Sequence, residues 1–224
     1  MLKKIALALV VALAVLAGIV ATRPGDYRVE RSATVAAPPE VVFGLVGDFR
    51  SWVAWSPWEA LDPAMKKTFG GQAGEIGSTY AWQGNDQVGA GQMTVIDKKS
   101  SSQIDIKLEF IKPWPSVNQT TFRFAPAGDK TTVTWIMAGH NGFVEKAMTL
   151  FMDMDKMIGA DFDKGLAKLG EKAQAEHGRL VAEAQKKAAE EAAQRAAAEA
   201  ALRKAAEEAA QAAATPPATP QKKS

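Results

Sequence analysis

Cysteine is absent from this 224-residue chain, and histidine is nearly so. Without cysteine there are no disulfides, no thiolate metal ligands, no thiol nucleophile and no site for lipoprotein acylation. The two histidines, His140 and His177, lie far apart, and the second sits in a polar segment of helical composition. An oxidising compartment is compatible with this composition but is not required by it.

The charges show no excess of one sign. The chain has 27 Lys and Arg against 25 Asp and Glu, a formal net charge of +2, and the two signs are interspersed. There is therefore neither a basic stripe of the kind that binds nucleic acid nor an acidic tail. We expect no nucleic-acid partner.

Cofactor and catalytic motifs are also missing. The glycine-rich run 70–77 lacks the Lys-Ser/Thr ending of a phosphate loop, and Gly89-Ala90-Gly91 lacks the third glycine of a dinucleotide fingerprint. We interpret both as turns or bulges in a twisted sheet. With no Gly-x-Ser-x-Gly elbow, no His-Glu-x-x-His zinc helix and no calcium loop, the sequence predicts no cofactor and no metal site.

Residues 1–22 read as a membrane segment or a signal peptide. Lys3 and Lys4 precede an apolar run, 5–20, whose length lies between a signal-peptide core and a full span. An uncleaved anchor predicts a single-pass inner-membrane protein, held through residues 5–21, with its domain in the periplasm. Cleavage after Ala17 or Ala21 predicts secretion to the periplasm instead. A core helix of a soluble protein is the third alternative.

A series of strands follows, with one short helix inside it. Pro38 and Pro39 fit a helix start, and the apolar edge continues to Arg50. Short polar connections between the later strands require antiparallel neighbours. The predicted strands are 27–35, 78–83, 89–97, 103–111, 118–125 and 131–139.

A long amphipathic helix is predicted from Asn141 to Lys168. One apolar stripe recurs at steps of three and four: Phe143, Ala147, Leu150, Phe151, Met154, Ile158, Phe162, Leu166 and Leu169. A face this wide needs a broad partner, and a curved sheet covers it better than a second helix. We therefore expect an α+β fold in which an antiparallel sheet grips the helix, with the site between them.

Four segments carry a resemblance to a known superfamily. They are 37–43, the tryptophan-rich run Trp52–Trp58, 77–85 and 157–166. Over about 26–172 the chain resembles the START-like (SRPBCC) superfamily, and within it the bacterial polyketide cyclase/dehydrase-like family of membrane-anchored proteins. This resemblance implies a helix-grip fold with a cavity for an apolar small molecule or lipid. It brings no universal catalytic residue set that maps onto this sequence.

The cavity lining is expected to come from the strands and the long helix. Our candidate ligand-binding residues are Trp82, Met93, Trp135, Met137, Phe151, Met154, Ile158 and Phe162. For each of them, plain core packing is the alternative. The rings of Trp52–Trp58 either plug one end of the core or form an aromatic gate at the cavity entrance.

Two residues are weak catalytic candidates. His140 stands where the last strand meets the long helix, so it serves in a turn or cap, or as an acid or base of the cavity. Glu109 faces water if Ile104, Ile106, Leu108 and Phe110 face the helix, and faces the cavity if they do not. The aspartates at 153, 155, 161 and 163 form either a solvated face or a cation site.

The chain ends in a segment of different composition. Residues 173–214 are dominated by Ala, Glu, Gln, Lys and Arg, which favour helix. Apolar residues are too sparse for a leucine-type coiled-coil seam. We expect a solvated helical stalk, or an alanine-packed arm for self-association or a protein partner, followed by a disordered tail at 215–224.

Three functions are consistent with these observations. The first is a membrane-tethered, non-catalytic module that binds a lipid or other hydrophobic molecule in its cavity. The second is an enzyme of cyclase or dehydratase type that uses the same cavity. The third is an envelope structural or interaction protein that acts through its helical tail.

Overall fold

The computed structural model describes residues 1–213, and the predicted disordered segment 215–224 lies outside the described residues. The chain divides into two compact units, Met1–His177 and Gly178–Ser224. The helices are α1 (Leu2–Thr22), α2 (Pro39–Gly47), α3 (Phe143–Met148) and α4 (Met154–Ala213), with short 3₁₀ helices at Phe49–Ala54 and Pro57–Ala60. The strands are β1 (Asp26–Val35), β2 (Lys66–Gly70), β3 (Thr79–Gln83), β4 (Ala90–Lys99), β5 (Gln103–Lys112), β6 (Ser116–Ala127) and β7 (Lys130–His140).

Within residues 1–213, seven strands form one antiparallel sheet in the order β1-β7-β6-β5-β4-β3-β2. Six of the strands follow the sequence prediction, and their short connections give the expected antiparallel meander. The first strand crosses back to pair with the last, with Asp26 opposite His140 and Val35 opposite Thr131. β2 was missed because its five residues show no clear apolar alternation.

The glycines near β4 permit close packing within the sheet. The β4–β5 register shifts between Ala90 and Gly91, which is the bulge that the sequence predicts. A Cβ on Gly91 would lie 2.5 Å from the Trp82 ring and would collide with the Glu109 carbonyl oxygen. The absent side chain therefore lets the Trp82 indole approach the backbone of β4 closely.

The core of the first unit lies between the sheet and α4. Buried side chains of α4 recur at helical spacing at Phe162, Leu166, Leu169 and Ala173. From the sheet, Ile104, Ile106, Phe122, Phe124, Val133 and Trp135 are among the side chains that fill the other half. This is the α+β helix-grip arrangement that the sequence predicts.

One feature of the predicted long helix is wrong. The helix is interrupted between α3 and α4, and the stripe does not continue through the join. Phe143 is 55% exposed and Phe151 is 83% exposed, so neither belongs to the buried face. Asp153 begins α4 as its N-cap, because its Oδ1 accepts a hydrogen bond from the Lys156 backbone N–H at 3.1 Å. That bond lowers the pKa of the Asp153 carboxyl.

Among residues 1–213, α1 is the helix that is long and apolar enough to cross a membrane, a test that signal sequences also pass. Its side chains are exposed except for Val20, which is buried. The C-terminal end of α1 packs against α3. Just beyond it, Arg23 donates a hydrogen bond from Nη1 to the Thr149 carbonyl oxygen at 3.5 Å.

Candidate functional site

A cavity of about 450 Å³ lies between the inner face of the sheet and the first turns of α4. We call it the sheet–helix cavity. Its walls come from β1 and β3 to β7, from the two 3₁₀ helices, and from α3 and α4. The lining is mainly apolar and aromatic, which is typical of ligand pockets in proteins.

Seven of the eight predicted ligand-binding residues line this cavity together. They are Trp82, Met93, Trp135, Met137, Met154, Ile158 and Phe162. The eighth, Phe151, lies outside the cavity, because the interruption before α4 turns its ring to solvent. Its predicted place on the buried stripe is therefore wrong.

Aromatic rings form the inner end of the cavity. Trp135 and Phe162 stack with their ring centroids 4.1 Å apart, and Trp58 meets Trp135 edge-on at 5.7 Å. Behind them Trp52 and Trp55 are buried and pack against Phe122 and Trp135. The tryptophan-rich run thus fills the core as a plug, while Trp52 and Trp58 also line the cavity.

A buried carboxylate lies in the cavity wall and was not found from the sequence. The Glu59 side chain is 10% exposed and lines the cavity together with Tyr80. Tyr80 donates its hydroxyl hydrogen to Glu59 Oε1 at 2.8 Å, and Lys67 Nζ contacts Oε2. Burial, and then the bond to Glu59, raises the pKa of the Tyr80 hydroxyl. The Glu59 carboxylate is therefore already matched by two donors.

A row of neutral polar residues runs along β6. Ser116, Asn118 and Thr120 alternate toward the cavity, and Phe122 continues the same face into the core. Tyr27 donates to Asn118 Oδ1 at 2.8 Å, and burial raises the pKa of the Tyr27 hydroxyl.

The neighbouring strand leaves room for this pair. Gly139 of β7 is the register partner of Asn118, and a Cβ at Gly139 would collide with Asn118 Oδ1. The same Cβ would lie 2.9 Å from the Tyr27 ring. The hydrogen-bonded pair therefore depends on glycine at this position.

The two weak catalytic candidates occupy different surroundings. His140 lines the rim of the cavity with its side chain 69% exposed, and its Nδ1 lies 2.8 Å from Asp26 Oδ1. Glu109 is not part of the lining and forms an ion pair with Lys107 at 2.7 Å on the outer face of β5. Its neighbours Leu108 and Phe110 face the cavity, which settles the orientation that the alternation left open.

Two aspartates of α4, Asp155 and Asp163, form ion pairs with Arg31 of β1. Arg31 Nη2 lies 3.0 Å from Asp155 Oδ2, and its Nε lies 3.7 Å from Asp163 Oδ2. The guanidinium fits here because Gly159 has no side chain. Within residues 1–213, no three His, Cys, Asp or Glu side chains converge on a possible metal position. The side chains of Asp153, Asp155 and Asp163 are 52%, 57% and 61% exposed, whereas Asp161 lines the cavity.

A family model described as polyketide cyclase / dehydrase and lipid transport matches residues 26–174. The chain belongs to this cyclase and lipid-transport family. The match covers the sheet, the sheet–helix cavity and the start of α4, and leaves α1 outside. A comparison with curated protein sequences gave no match.

Solved structures share the fold of this chain. A protein from Thermobifida fusca is 24% identical and has a TM-score of 0.50, with 65% of this chain and 92% of that chain covered. The di-domain ARO/CYC StfQ of the steffimycin biosynthetic pathway is 9% identical with a TM-score of 0.50, over 69% of this chain and 52% of that one. At these identities the likeness shows the fold alone.

Proposed function

We propose that this family member is a membrane-tethered, non-catalytic module that binds a hydrophobic small molecule or lipid in the sheet–helix cavity. The observation that carries the proposal is the cavity itself, about 450 Å³ in volume and lined by seven of the predicted apolar residues. Ligand pockets in proteins span roughly 300–1,000 Å³, so this space suits a small molecule or a single acyl-type chain.

The side chains of the wall favour varied apolar ligands. Five methionines at positions 65, 93, 137, 154 and 157 line the cavity. A methionine side chain is unbranched and polarizable, so it adapts to different ligand shapes at little cost. The stacked pair of Trp135 and Phe162 offers a rigid aromatic surface beside them.

The placement of the acid–base candidates favours binding over catalysis. His140 is paired with Asp26 at the exposed rim, and Glu109 lies on the opposite face of the sheet. Neither residue contacts the enclosed aromatic end, where a ligand would be shielded from water.

The α1 helix supports the membrane tether. Its 21 residues reach about 31 Å, which matches a hydrocarbon core of about 30 Å. Lys3 and Lys4 favour a cytoplasmic N-terminus by the positive-inside rule, which puts the domain in the periplasm of a bacterium. Because α1 packs on α3, whose Glu145 lines the cavity, this anchor would hold the rim close to the bilayer.

Ligand content tests the binding proposal directly. The full chain is purified in a mild detergent, and bound apolar compounds are extracted and measured by mass spectrometry. Met154→Trp fills the cavity and is expected to remove most of the bound compound. Met152→Trp, at an exposed position outside the cavity, is the matched control and should retain it. Equal content in the two folded variants would place the ligand elsewhere or show that there is none.

One observation favours an enzyme of cyclase or dehydratase type as the second candidate. The Glu59–Tyr80 pair opens on the cavity, and a buried acid and phenol are able to exchange a proton with a bound substrate. A cyclase would turn over a reactive polyketone substrate, and Glu59→Gln would abolish this turnover while leaving ligand binding intact. The third candidate, an interaction protein acting through its tail, stays a prediction that deletion of residues 178–224 tests.

A further inference from the structure

Three buried neutral side chains present unpaired polar atoms to the sheet–helix cavity. Ser56, Asn118 and Thr120 are 6%, 6% and 3% exposed, and all three line the space. Within the described part of the chain, Ser56 Oγ, Asn118 Nδ2 and Thr120 Oγ1 make no hydrogen bond to protein. They are not sealed inside the core either, since the enclosed unpaired side-chain atoms there are Ser78 Oγ and Trp135 Nε1.

Such atoms need a partner from within the cavity. A buried polar group without a hydrogen bond costs free energy, so native structures pair these groups with protein, water or ligand. Asn118 and Thr120 are alternate residues of β6, about 7 Å apart along the strand. Met154 and Ile158 of α4 also line the cavity, so a ligand meets a polar edge on the sheet and an apolar surface on the helix.

The cavity offers an anion carboxylates, and the basic groups nearby already have carboxylate partners. Its carboxylates are Glu59, Glu145 and Asp161, and no lysine or arginine belongs to the described lining. Lys67 contacts Glu59 from β2, and Lys164 lies 3.0 Å from Asp161, so both of these cations are already paired. His140 is paired with Asp26 at the rim. A buried carboxylate or phosphate would therefore lose water without gaining a counter-ion.

Resting on the proposed binding function, we propose that the cavity selects a neutral, oxygen-bearing apolar ligand and rejects anionic ones. The Asn118 amide N–H groups and the Thr120 hydroxyl bind the oxygen of that ligand, a ketone, an ester or an alcohol. The apolar body of the ligand packs on the methionines and aromatic rings. Free fatty acids and lipid phosphates are excluded from this cavity although their chains fit it.

A matched series of brominated probes tests the selectivity. The probes are bromododecanol, bromododecanoic acid and bromododecane, each with bromine at one end of the chain. They share the same chain length and differ only at the other end, which carries a hydroxyl, a carboxylate or no polar group. Bromine quenches nearby tryptophans, and Trp52, Trp58, Trp82 and Trp135 line the cavity. The full chain is titrated in nanodiscs, and each affinity is corrected for partition into empty nanodiscs measured in parallel.

Variants on β6 assign the polar contact. Asn118→Leu removes the amide, Thr120→Val removes the hydroxyl at almost constant shape, and Gln119→Leu repeats the chemistry on the exposed outer face of the same strand. We expect bromododecanol to bind wild type more tightly than either the acid or the alkane. Each of the first two substitutions should weaken the binding of bromododecanol by about fivefold, as expected for the loss of one neutral hydrogen bond. The Gln119→Leu variant should keep the wild-type affinity.

The outcomes separate this inference from the proposed function. If bromododecanoic acid binds as tightly as bromododecanol, the proposed selectivity is wrong, although a hydrophobic site is still present. Unchanged alcohol affinity in folded Asn118→Leu and Thr120→Val would show that only water meets these groups, and would overturn their role. Absence of quenching by all three probes would overturn both this inference and the binding function.

Discussion

The Trp135 indole of β7 lies flat on the Phe162 ring of α4, with the planes 5° apart and the centroids separated by 4.1 Å. Both side chains are almost fully buried. The contact joins β7, the second strand of the sheet, to the helix and forms the inner end of the sheet–helix cavity. Stability and cavity shape therefore depend on the same pair of rings.

Phe162→Ala should strongly destabilise the domain. Truncation of a buried phenylalanine typically costs about 3–5 kcal/mol, because transfer free energy is lost and a void remains. Phe151→Ala is the matched control, since that ring is 83% exposed and its loss should change stability by no more than about 0.5 kcal/mol. Urea unfolding of the full chain, followed by tryptophan fluorescence, measures both. Equal losses would show that Phe151 is buried in solution.

The Asp153 cap makes the start of α4 sensitive to acid. Its hydrogen bonds favour the ionised form and hold the pKa of the carboxyl below its ordinary value. The stabilisation is therefore present above the unfolded pKa of about 3.9 and is lost as the pH falls through the lower folded pKa. Asp153→Ala should lower the melting temperature at neutral pH but have little effect in strong acid.

Asp153→Asn provides the control for that prediction. Asparagine caps helices about as well as aspartate but does not ionise, so this variant should keep the cap across the whole acid range. Melting temperatures measured from neutral to strongly acidic pH distinguish the three proteins. A wild type and an Asp153→Asn variant with the same acid dependence would assign it to other carboxyls.

Tyr80→Phe should cost more than Tyr27→Phe. Tyr80 donates to the Glu59 carboxylate, and hydrogen bonds to charged groups contribute about 1.5–3 kcal/mol. Tyr27 donates to the neutral amide of Asn118, where about 0.5–1.5 kcal/mol is typical. A phenylalanine at position 80 keeps the ring stacked on Phe69. The change in the free energy of unfolding, measured with denaturant, should therefore reflect the loss of the hydroxyl alone. The reverse order would mean that Lys67 by itself satisfies Glu59.

The two tyrosines should also ionise late. The pKa of each hydroxyl is raised in the folded chain, by burial in both and additionally by Glu59 for Tyr80. The neutral forms stabilise the fold below the unfolded pKa of about 10, and this contribution is lost as the pH rises through the folded values. Tyrosinate absorbance during alkaline titration should therefore appear at higher pH in the folded protein than in the unfolded chain. Reversible ionisation of both tyrosines near the ordinary pKa would contradict their burial.

Gly139→Ala should disturb the polar edge of the cavity. The added methyl group would collide with Asn118 Oδ1, so the Tyr27–Asn118 pair must shift, at a cost of about 1–3 kcal/mol. Gly44→Ala, in α2 with nothing within 4 Å of the new Cβ, is expected to be neutral or to stabilise by up to about 1 kcal/mol. Thermal unfolding compares them. A Gly139→Ala variant as stable as Gly44→Ala would show that the pair adapts freely.

Much of the sheet could be predicted because its strands alternate clearly. In β5 the apolar side chains of Ile104, Ile106 and Leu108 share one face, and this strand was placed almost to the residue. β6 is different, because Ser116, Asn118 and Thr120 on the inner face alternate with Gln119 and Thr121, which are also polar. A period of two is visible only when the faces differ in polarity, so the inward polar row could not be recognised.

The helix face was harder to delimit than to recognise. Hydrophobic spacing identified Met154, Ile158 and Phe162, which line the cavity. The same spacing extended the predicted apolar stripe too far toward the N-terminus, because periodicity does not indicate where a helix begins. The N-cap at Asp153 was the local signal that would have corrected this. Glu59 could not be predicted, because its partners Lys67 and Tyr80 lie on strands that only the fold brings together.

The join between α3 and α4 changes the mechanics of the cavity. In one continuous helix, Glu145 at the rim would move together with Met154 and Ile158 in the wall. Tilting the rim would then break helical hydrogen bonds. At the join the chain is held by a few turn bonds, such as Phe151 N–H to the Met148 carbonyl oxygen at 3.0 Å, and not by one continuous helix. α3 packs on α1, and the buried side chains of α4 pack on the sheet. A displacement of α1 would therefore move α3 and the rim of the cavity first, while the wall formed by α4 and the sheet would keep its shape.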